Sequence, residues 1–329
     1  MTIKRFVPPA YLKNAHIQSI MNSVGLRKIR AKKISKSLDS EKLIITTDKG
    51  IRLTAEFDKA INNTTKTSSS PLVILIHGWE GSSQSAYQVT TAHYLLKQGF
   101  DVLRLNMRDH GDSHHLNPEA FNSTLIGEVG DAIQVFCAGR PYKNIFLAGF
   151  SLGGNFTLRI AADRGQDLGI KAAVAICPPI DPNNAMSAMN EGLFIYEKYF
   201  FKRWTRSISK KLSYFPELNF AEDLAKVKTL DDINQTFIPK FTPFLDAQSY
   251  FSAYALTGGR LSTLAIQAYL IASEDDPILP IADVDKIDHC DNLIIDKQKY
   301  GGHCGFISDA KGNSWVPQRL TSIFTQHLS

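Results

Sequence analysis

Short apolar runs recur along the chain and predict strands that are buried on both faces of a parallel sheet. These runs are Leu72 to Ile76, Asp101 to Leu105, Asn144 to Ala148, Lys171 to Ile176, Leu264 to Ala272 and Asn292 to Ile295. Amphipathic segments predict the helices that cover the sheet, namely Tyr87 to Gln98, Leu125 to Cys137, Asn155 to Arg164 and Val316 to His327. A hairpin that turns at Gly50 is predicted from Leu43 to Thr47 and Ile51 to Phe57. The pattern therefore predicts an α/β fold with a mostly parallel central sheet flanked by helices.

Two segments interrupt this alternation. Residues 178–260 are rich in aromatic side chains and are punctuated by Pro216, Pro239 and Pro243, so we interpret them as an inserted helical cap. Residues 62–70 are polar and rich in Ser and Thr, which predicts a surface loop. The predicted organisation is an N-terminal extension (1–40) that packs on the core, an α/β core (41–177 and 261–329) and a cap (178–260).

Composition narrows the classes of protein that fit. A chain of 329 residues with 43% hydrophobic and 21% charged side chains is long enough to bury a core, which excludes intrinsic disorder. The longest aliphatic run, Leu72 to Ile76, is far shorter than the roughly 18 to 20 apolar residues of a membrane span. The first twenty residues lack the apolar block of a secretory signal, so we expect a cytoplasmic location.

Charge and cysteine content exclude two further classes. The net charge of +5 is spread over two separate stretches without a nucleic-acid motif, so no nucleic-acid partner is expected. The four cysteines form no CxxC pair, which argues against a disulfide framework and against a zinc site. We expect them to be reduced thiols.

The strongest chemical signal is the pentapeptide Gly149-Phe150-Ser151-Leu152-Gly153. It lies between a predicted strand and a predicted helix, which is the setting of a nucleophile elbow. The turn forces strained backbone angles on the serine, and side chains at the two glycine positions would collide with neighbouring elements. Ser151 is therefore the candidate nucleophile.

A serine nucleophile needs a histidine base, and that histidine needs a carboxylate partner. An acidic loop that contains Asp275 and Asp276 follows the predicted strand Leu264 to Ala272. After the last predicted strand, His303 lies in a glycine-rich loop, whereas the other two late histidines precede a strand or end a helix. His303 is the candidate base. Asp276 precedes Pro277, which favours an extended backbone there, but the motif alone leaves the two carboxylates open.

The chain resembles the α/β-hydrolases, and more narrowly the YheT-like branch of predicted serine esterases. The matching stretches are Pro9 to Ser19 with Asn14-Ala15-His16-Ile17-Gln18, residues 77–87 (HGWEGSSQSAY), Asn106-Met107-Arg108, residues 149–155 (GFSLGGN), Asp275-Asp276-Pro277 and Gly301-Gly302-His303. The resemblance runs from near the N-terminus to the final helix. It departs at residues 108–115, where many members have an Arg-Gly-Cys sequence.

This resemblance implies a carboxylic ester hydrolase that works through an acyl-enzyme and needs no cofactor. The catalytic acid of such enzymes commonly stands four residues before a proline, which favours Asp276 because Pro280 follows at that spacing. The oxyanion would be held by the backbone NH groups of Trp79 and Leu152. Trp79 is also a candidate pocket wall. The expected partner is a small-molecule ester or a lipid-like substrate.

Acidic and histidine residues crowd onto the loop of residues 108–115, and they suggest a metal site. The candidate ligands are Asp109, His110, Asp112, His114 and His115. A metal centre normally draws its ligands from several elements, so we favour a hydrogen-bonded rim loop in which Arg108 pairs with an acidic neighbour. No metal is predicted.

The cap contains a run of aromatic and basic residues between positions 196 and 211. Such a run is compatible with peripheral contact with an anionic membrane, but we favour a cap helix whose aromatic face lines the pocket. Phe200 and Trp204 are the pocket candidates, and they suggest an apolar acyl group. Acyl transfer or thioester hydrolysis by the same triad, or a catalytically silent ligand-binding protein, are the alternative functions. The oligomeric state is not predicted.

Overall fold

The computed structural model describes residues 5–61 and 70–328. All but Ser70 of the predicted polar loop 62–70 lies outside the described residues. The described chain forms a sheet whose strands are β1 (Glu41–Thr46), β2 (Arg52–Asp58), β3 (Leu72–Ile76), β4 (Asp101–Leu105), β5 (Ile145–Phe150), β6 (Ile170–Ile176), β7 (Gln267–Ser273) and β8 (Leu293–Gln298). The predicted strands and hairpin are thus all present.

The strand order is β1-β2-β4-β3-β5-β6-β7-β8. Strand β2 is antiparallel to both β1 and β4, and every later pair is parallel. The chain steps outward in one direction from β3 to β4 and in the other direction from β5 onward. The carboxyl ends of β3 and β5 therefore flank the point where the order reverses, which is where open α/β sheets bind their ligands.

Helices cover both faces of the sheet. The helices of the described chain are α1 (Ala15–Met21), α2 (Gly25–Ser37), α3 (Ala86–Lys97), α4 (Ile126–Cys137), α5 (Leu152–Arg164), α6 (Pro182–Glu191), α7 (Phe194–Tyr214), α8 (Ala221–Lys226), α9 (Leu230–Phe241), α10 (Ala247–Ala253) and α11 (Val316–Thr325). Alternate side chains of β3 enter two separate cores. Ile74 and Ile76 pack with α4 and α5, whereas Val73 and Leu75 pack with α3 and α11. The mostly parallel sheet with flanking helices confirms the predicted fold class.

Two predicted starts, those of β7 and α5, are wrong by three residues, and β8 ends at Gln298, three residues beyond the predicted Ile295. Strand β7 begins at Gln267, although the apolar run begins at Leu264. Leu264 is buried, but its NH bonds to the carbonyl of Leu261 in a turn, so its burial does not reflect strand pairing. Helix α5 begins at Leu152 and not at Asn155. Its first turn contains two glycines, which are weak helix formers and hide the start of the helix in the sequence.

Helices α6 to α10 all lie between β6 and β7, in the segment interpreted as a cap. At the N-terminus, α2 packs on α3 through Ala31 and Ile34, which contact Ala86 and Val89. The division into extension, core and cap at residues 40, 177 and 260 stays a prediction. None of the helices in the described chain is long and apolar enough to cross a membrane.

Candidate active site

Ser151 occupies the sharp turn between β5 and α5. Its backbone has φ +53° and ψ −123°, a conformation that L-residues rarely adopt. A Cβ on Gly149 would lie 2.1 Å from the carbonyl oxygen of Gly153, and a Cβ on Gly153 would lie 2.4 Å from the carbonyl oxygens of Ile76 and His77. Both glycines are required because backbone approaches them where a side chain would stand. The elbow therefore holds the serine hydroxyl out at the carboxyl edge of the sheet.

His303 connects this serine to a carboxylate. Its Nε2 lies 2.9 Å from Ser151 Oγ, and its Nδ1 lies 2.8 Å from Asp276 Oδ2. The two side chains are largely buried, with 13% of His303 and 3% of Asp276 exposed. The ionised carboxylate can only accept, so the Nδ1 proton points to it and Nε2 is free to accept the Ser151 proton. The structure thus brings the three predicted residues together.

The two adjacent carboxylates have different partners. Asp276 Oδ1 accepts hydrogen bonds from the NH groups of Ile278 (2.9 Å) and Leu279 (3.1 Å), which leaves Oδ2 for the histidine. Asp275 Oδ1 accepts from the NH of Gly302 at 2.8 Å. Asp276 therefore contacts the imidazole directly, whereas Asp275 holds the backbone of the loop that carries it.

The electrostatic environment favours a protonated imidazole on His303. Burial by itself lowers the pKa of His303, but the Asp276 carboxylate opposes this effect. Charge attraction to Asp276 and the hydrogen bond that His303 donates to it together raise the pKa above its usual value of 6.5. The pair can therefore stabilise the imidazolium that forms when the histidine takes a proton.

The loop after β3 runs beside the nucleophile. A Cβ on Gly78 would lie 3.1 Å from Ser151 Cβ, and a hydrogen bond of 2.9 Å from the Gly81 NH to the Gly78 carbonyl closes a tight turn. Within the described residues, no hydrogen bond uses the backbone NH of Trp79 or of Leu152. Two NH groups that flank the serine are therefore available to a ligand oxygen, at the positions predicted for an oxyanion hole.

Two buried histidines that the sequence did not single out for this role hold the turn. His77 Nδ1 lies 2.8 Å from the Gly78 carbonyl, and its Nε2 accepts from the Met107 NH at 3.1 Å. His110 Nε2 accepts from the Glu80 NH at 3.1 Å. Burial lowers the pKa of His77 well below its usual value and that of His110 to about 4. Both rings are therefore neutral at pH 7, as acceptors for backbone NH groups must be.

Charged residues of the loop 108–115 form ion pairs with other elements. These are Arg108 with Glu128 (2.6 Å), Asp109 with Lys211 (2.8 Å) and Asp112 with Lys210 (2.8 Å). His114 Nε2 lies 2.8 Å from Ser207 Oγ of the same cap helix, α7. Across the described ranges, no three His, Cys, Asp or Glu side chains are grouped in a way that could hold a metal ion. The loop joins the core to α7.

Helix α1 supports the histidine loop from below, a role that sequence reasoning did not assign. Ser19 Oγ accepts a hydrogen bond from the His303 NH at 2.8 Å. Gln18 is fully buried and bonds to both backbone groups of Ile307, four residues beyond the histidine. A Cβ on Gly302 would lie 2.4 Å from the carbonyl oxygen of Ala15, so the loop and α1 are in close contact. The stretch Asn14-Ala15-His16-Ile17-Gln18 was part of the resemblance to the family. The sequence did not indicate that this stretch contacts the loop of His303.

A cleft of about 680 Å³ opens above Ser151 and His303, between α2 and α7. Phe200 lines this cleft and stacks on Trp79, with ring centroids 5.0 Å apart and ring planes 10° apart. Trp204 contacts the same indole edge-on at 5.2 Å but lines a separate cavity of about 50 Å³. Phe200 thus faces the cleft, whereas Trp204 supports Trp79 from behind.

A strained serine elbow at the reversal point of a mostly parallel sheet, with a histidine and a carboxylate after later strands, defines the α/β-hydrolase class. Comparison with known proteins agrees. Residues 71–308 match the family model of the alpha/beta hydrolase fold, and the chain belongs to that family. Its relatives place it in the YheT-like branch.

Two curated relatives and a solved structure illustrate the similarity. An abhydrolase domain-containing protein of Dictyostelium discoideum is 24% identical over 98% of this chain and 81% of its own length. The putative esterase YheT of Escherichia coli (strain K12) is 23% identical over 81% of this chain and 80% of its own. The Pyrococcus furiosus esterase Pf2001 superposes with a TM-score of 0.60 at 18% identity, over 91% of this chain and 96% of its own, which shows the fold. The relatives support a hydrolase activity.

Proposed function

We propose that this protein is a serine hydrolase that cleaves carboxylic esters through an acyl-enzyme. The observation that carries the proposal is the continuous hydrogen-bonded chain Ser151–His303–Asp276 at the base of an open cleft. Its order and tautomer are those that activate a serine hydroxyl.

In the first half-reaction, Ser151 Oγ attacks the ester carbonyl while its proton passes to His303 Nε2. Asp276 stabilises the resulting imidazolium. The carbonyl oxygen becomes an oxyanion, which the NH groups of Trp79 and Leu152 stabilise, an effect of roughly 3 to 4 kcal/mol for one such donor. When the tetrahedral intermediate collapses, the bond to the alcohol breaks and His303 returns the proton to the leaving oxygen. The acyl group is then bound to Ser151.

In the second half-reaction, His303 removes a proton from water, and the resulting hydroxide attacks the acyl carbonyl. The bond to Ser151 Oγ breaks and the serine regains its proton from His303. The products are a carboxylic acid and the free enzyme, and none of these steps requires a metal or an organic cofactor. Phe200 and the neighbouring side chains of α7 supply an apolar surface, which supports an apolar acyl group as substrate.

The proposal is tested with 4-nitrophenyl esters of increasing acyl length. Ser151→Ala should lower kcat/KM on the order of a thousandfold or more without unfolding the protein, because the side chain stands at the cleft and not in a core. Ser187→Ala, an exposed serine on α6, is the matched control and should behave as the parent does. Circular dichroism establishes that each variant is folded. A folded Ser151→Ala variant that keeps most of the activity would contradict the mechanism.

A further inference from the structure

The two walls of the cleft differ in chemistry. The wall from α7 presents Ile195, Tyr199 and Phe200, which are apolar or aromatic. The wall from α2 presents Lys28 and Lys32, followed by Lys36. A spacing of four residues places these three lysines in one row along the helix, about 12 Å from first to last at 1.5 Å per residue. The cleft is therefore apolar on one side and cationic on the other.

The charges of this lysine row are not compensated by the protein. In the part of the chain that the structure describes, Lys28, Lys32 and Lys36 form no ion pair. Like charges four residues apart on a helix repel and destabilise it. Repulsion within the row does not help α2 to fold, and the arrangement of the row along the cleft points to a ligand.

A fourth cation faces the same space from α7. Arg203 lines the cleft, and its guanidinium donates to the hydroxyl of Tyr199 at 3.1 Å and to the backbone carbonyl of Glu80. Both acceptors are uncharged. Among the described residues Arg203 forms no ion pair, so its guanidinium adds a further positive charge to the cleft.

Glu80 is the sole acidic residue among the described residues that line the cleft. Burial raises the pKa of Glu80 to about 8, against the opposing effect of Arg203. At pH 7 this side chain is mainly protonated and uncharged. Apart from the paired His303 and Asp276, the cleft accordingly has four positive charges and little negative charge near neutral pH.

We propose that the row of Lys28, Lys32 and Lys36 binds an anionic group in the alcohol half of the ester, while the apolar acyl half lies along α7. The inference rests on the proposed ester hydrolysis at Ser151 and names its substrate class, an amphiphilic ester with a phosphate or carboxylate group. Lysine suits such a ligand because its ammonium group is a point charge on a flexible side chain. It can therefore follow the anionic group of a flexible alcohol.

Matched esters test the preference in turnover. The pair 1-octanoylglycerol and 1-octanoylglycerol 3-phosphate differs only by the phosphate, and the octanoyl ester of glyceric acid has a carboxylate instead. All are used below the concentrations at which they aggregate. The parent should favour the anionic esters over the neutral one by a factor of about ten in kcat/KM, the size expected for several exposed charge pairs. If the parent prefers only the phosphate ester, the lysine row binds a phosphate. If it prefers both anionic esters, the row binds either anionic group.

The triple variant Lys28→Gln, Lys32→Gln, Lys36→Gln should bring this ratio close to one. A matched control, Lys33→Gln, Lys42→Gln, Lys59→Gln, removes the same net charge from exposed positions that do not line the cleft, and it should keep the parent's ratio. A parent without preference, or an equal loss of preference in both triple variants, overturns the inference.

Binding to a protein without the nucleophile separates this inference from the proposed function. Ser151→Ala should bind octyl phosphate about tenfold more tightly than 1-octanol in titration calorimetry, and the three cleft substitutions in that background should abolish the difference. Selective binding by the Ser151→Ala protein, together with a folded parent that hydrolyses no ester, would support the anion site and refute the proposed function. Ester hydrolysis by the parent without selective binding would support the proposed function and refute the anion site.

Discussion

The hydrogen bonds of Gln18 allow a direct test of whether α1 positions the histidine loop. The side-chain carbonyl accepts from the Ile307 NH at 2.5 Å, and the side-chain amide donates to the carbonyls of Leu12 (2.7 Å) and Ile307 (3.1 Å). Gln18→Leu has a side chain of similar size but removes all three bonds. It leaves one donor and two acceptors unpaired in a fully buried position.

The expected loss in the free energy of unfolding is at least about 3 kcal/mol, because each buried donor or acceptor that is left unpaired costs roughly 1 to 3 kcal/mol. A second effect concerns catalysis. Helix α1 binds this loop at Ile307 through Gln18 and at the His303 NH through Ser19, so a loosened loop should move Nε2 away from Ser151 Oγ. A displacement of about 1 Å can cost on the order of a hundredfold in rate. We therefore expect kcat to fall while KM changes little.

Urea denaturation and steady-state kinetics at a temperature where the variant is fully folded measure the two effects. Gln98→Leu, an exposed residue after the last turn of α3, is the control and should change neither quantity appreciably. An unchanged free energy of unfolding would refute the assigned hydrogen bonds. A destabilised variant with the parent's kcat would show that α1 supports the fold without positioning His303.

Three further predictions concern the proposed site. Asp276→Asn should lower kcat/KM by several orders of magnitude, whereas Asp275→Asn, whose Oδ1 can still accept, should stay within about tenfold; the reverse ranking in steady-state kinetics would transfer the acid role to Asp275. Activity should be lost as the pH falls through the raised pKa of His303, because the base acts in its neutral form, and a kcat/KM profile that is flat from alkaline to mildly acidic pH would exclude this. Phe200→Ala should weaken turnover of octanoyl esters more than of acetyl esters, by about 0.8 kcal/mol for each methylene that loses contact. Trp204→Ala should lower the turnover of both esters equally, and a series of esters of increasing acyl length measures the difference.

The elbow could be predicted from sequence because most of its determinants are local. Ser151 lies between an apolar run and an amphipathic segment, and the two glycines at 149 and 153 are required by backbone that approaches within one turn or from the adjacent strand. The strands were predicted for the same reason, since burial on both faces gives continuous apolar runs. Leu264 is buried but does not pair with a neighbouring strand, so the prediction began β7 too early.

The support for the site could not be predicted because it depends on contacts between distant parts of the chain. Ser19 and His303 are 284 residues apart, and nothing in either local sequence indicates their hydrogen bond. The choice between Asp275 and Asp276 rests on which carboxylate the loop after β7 turns toward the imidazole. The cationic wall could not be predicted either, because the sequence around Lys28 is typical of a solvent-exposed helix. Only the fold places this part of α2 opposite α7.

The nucleophile is tested most directly by covalent labelling with an alkyl fluorophosphonate, followed by mass spectrometry of the intact protein and of its tryptic peptides. An activated serine should acquire a single adduct on the peptide of residues 144–159, which contains Ser151. The adduct should be absent from Ser151→Ala and should form far more slowly in His303→Ala. A folded parent protein that remains unlabelled, or one labelled on a different residue, would contradict the account.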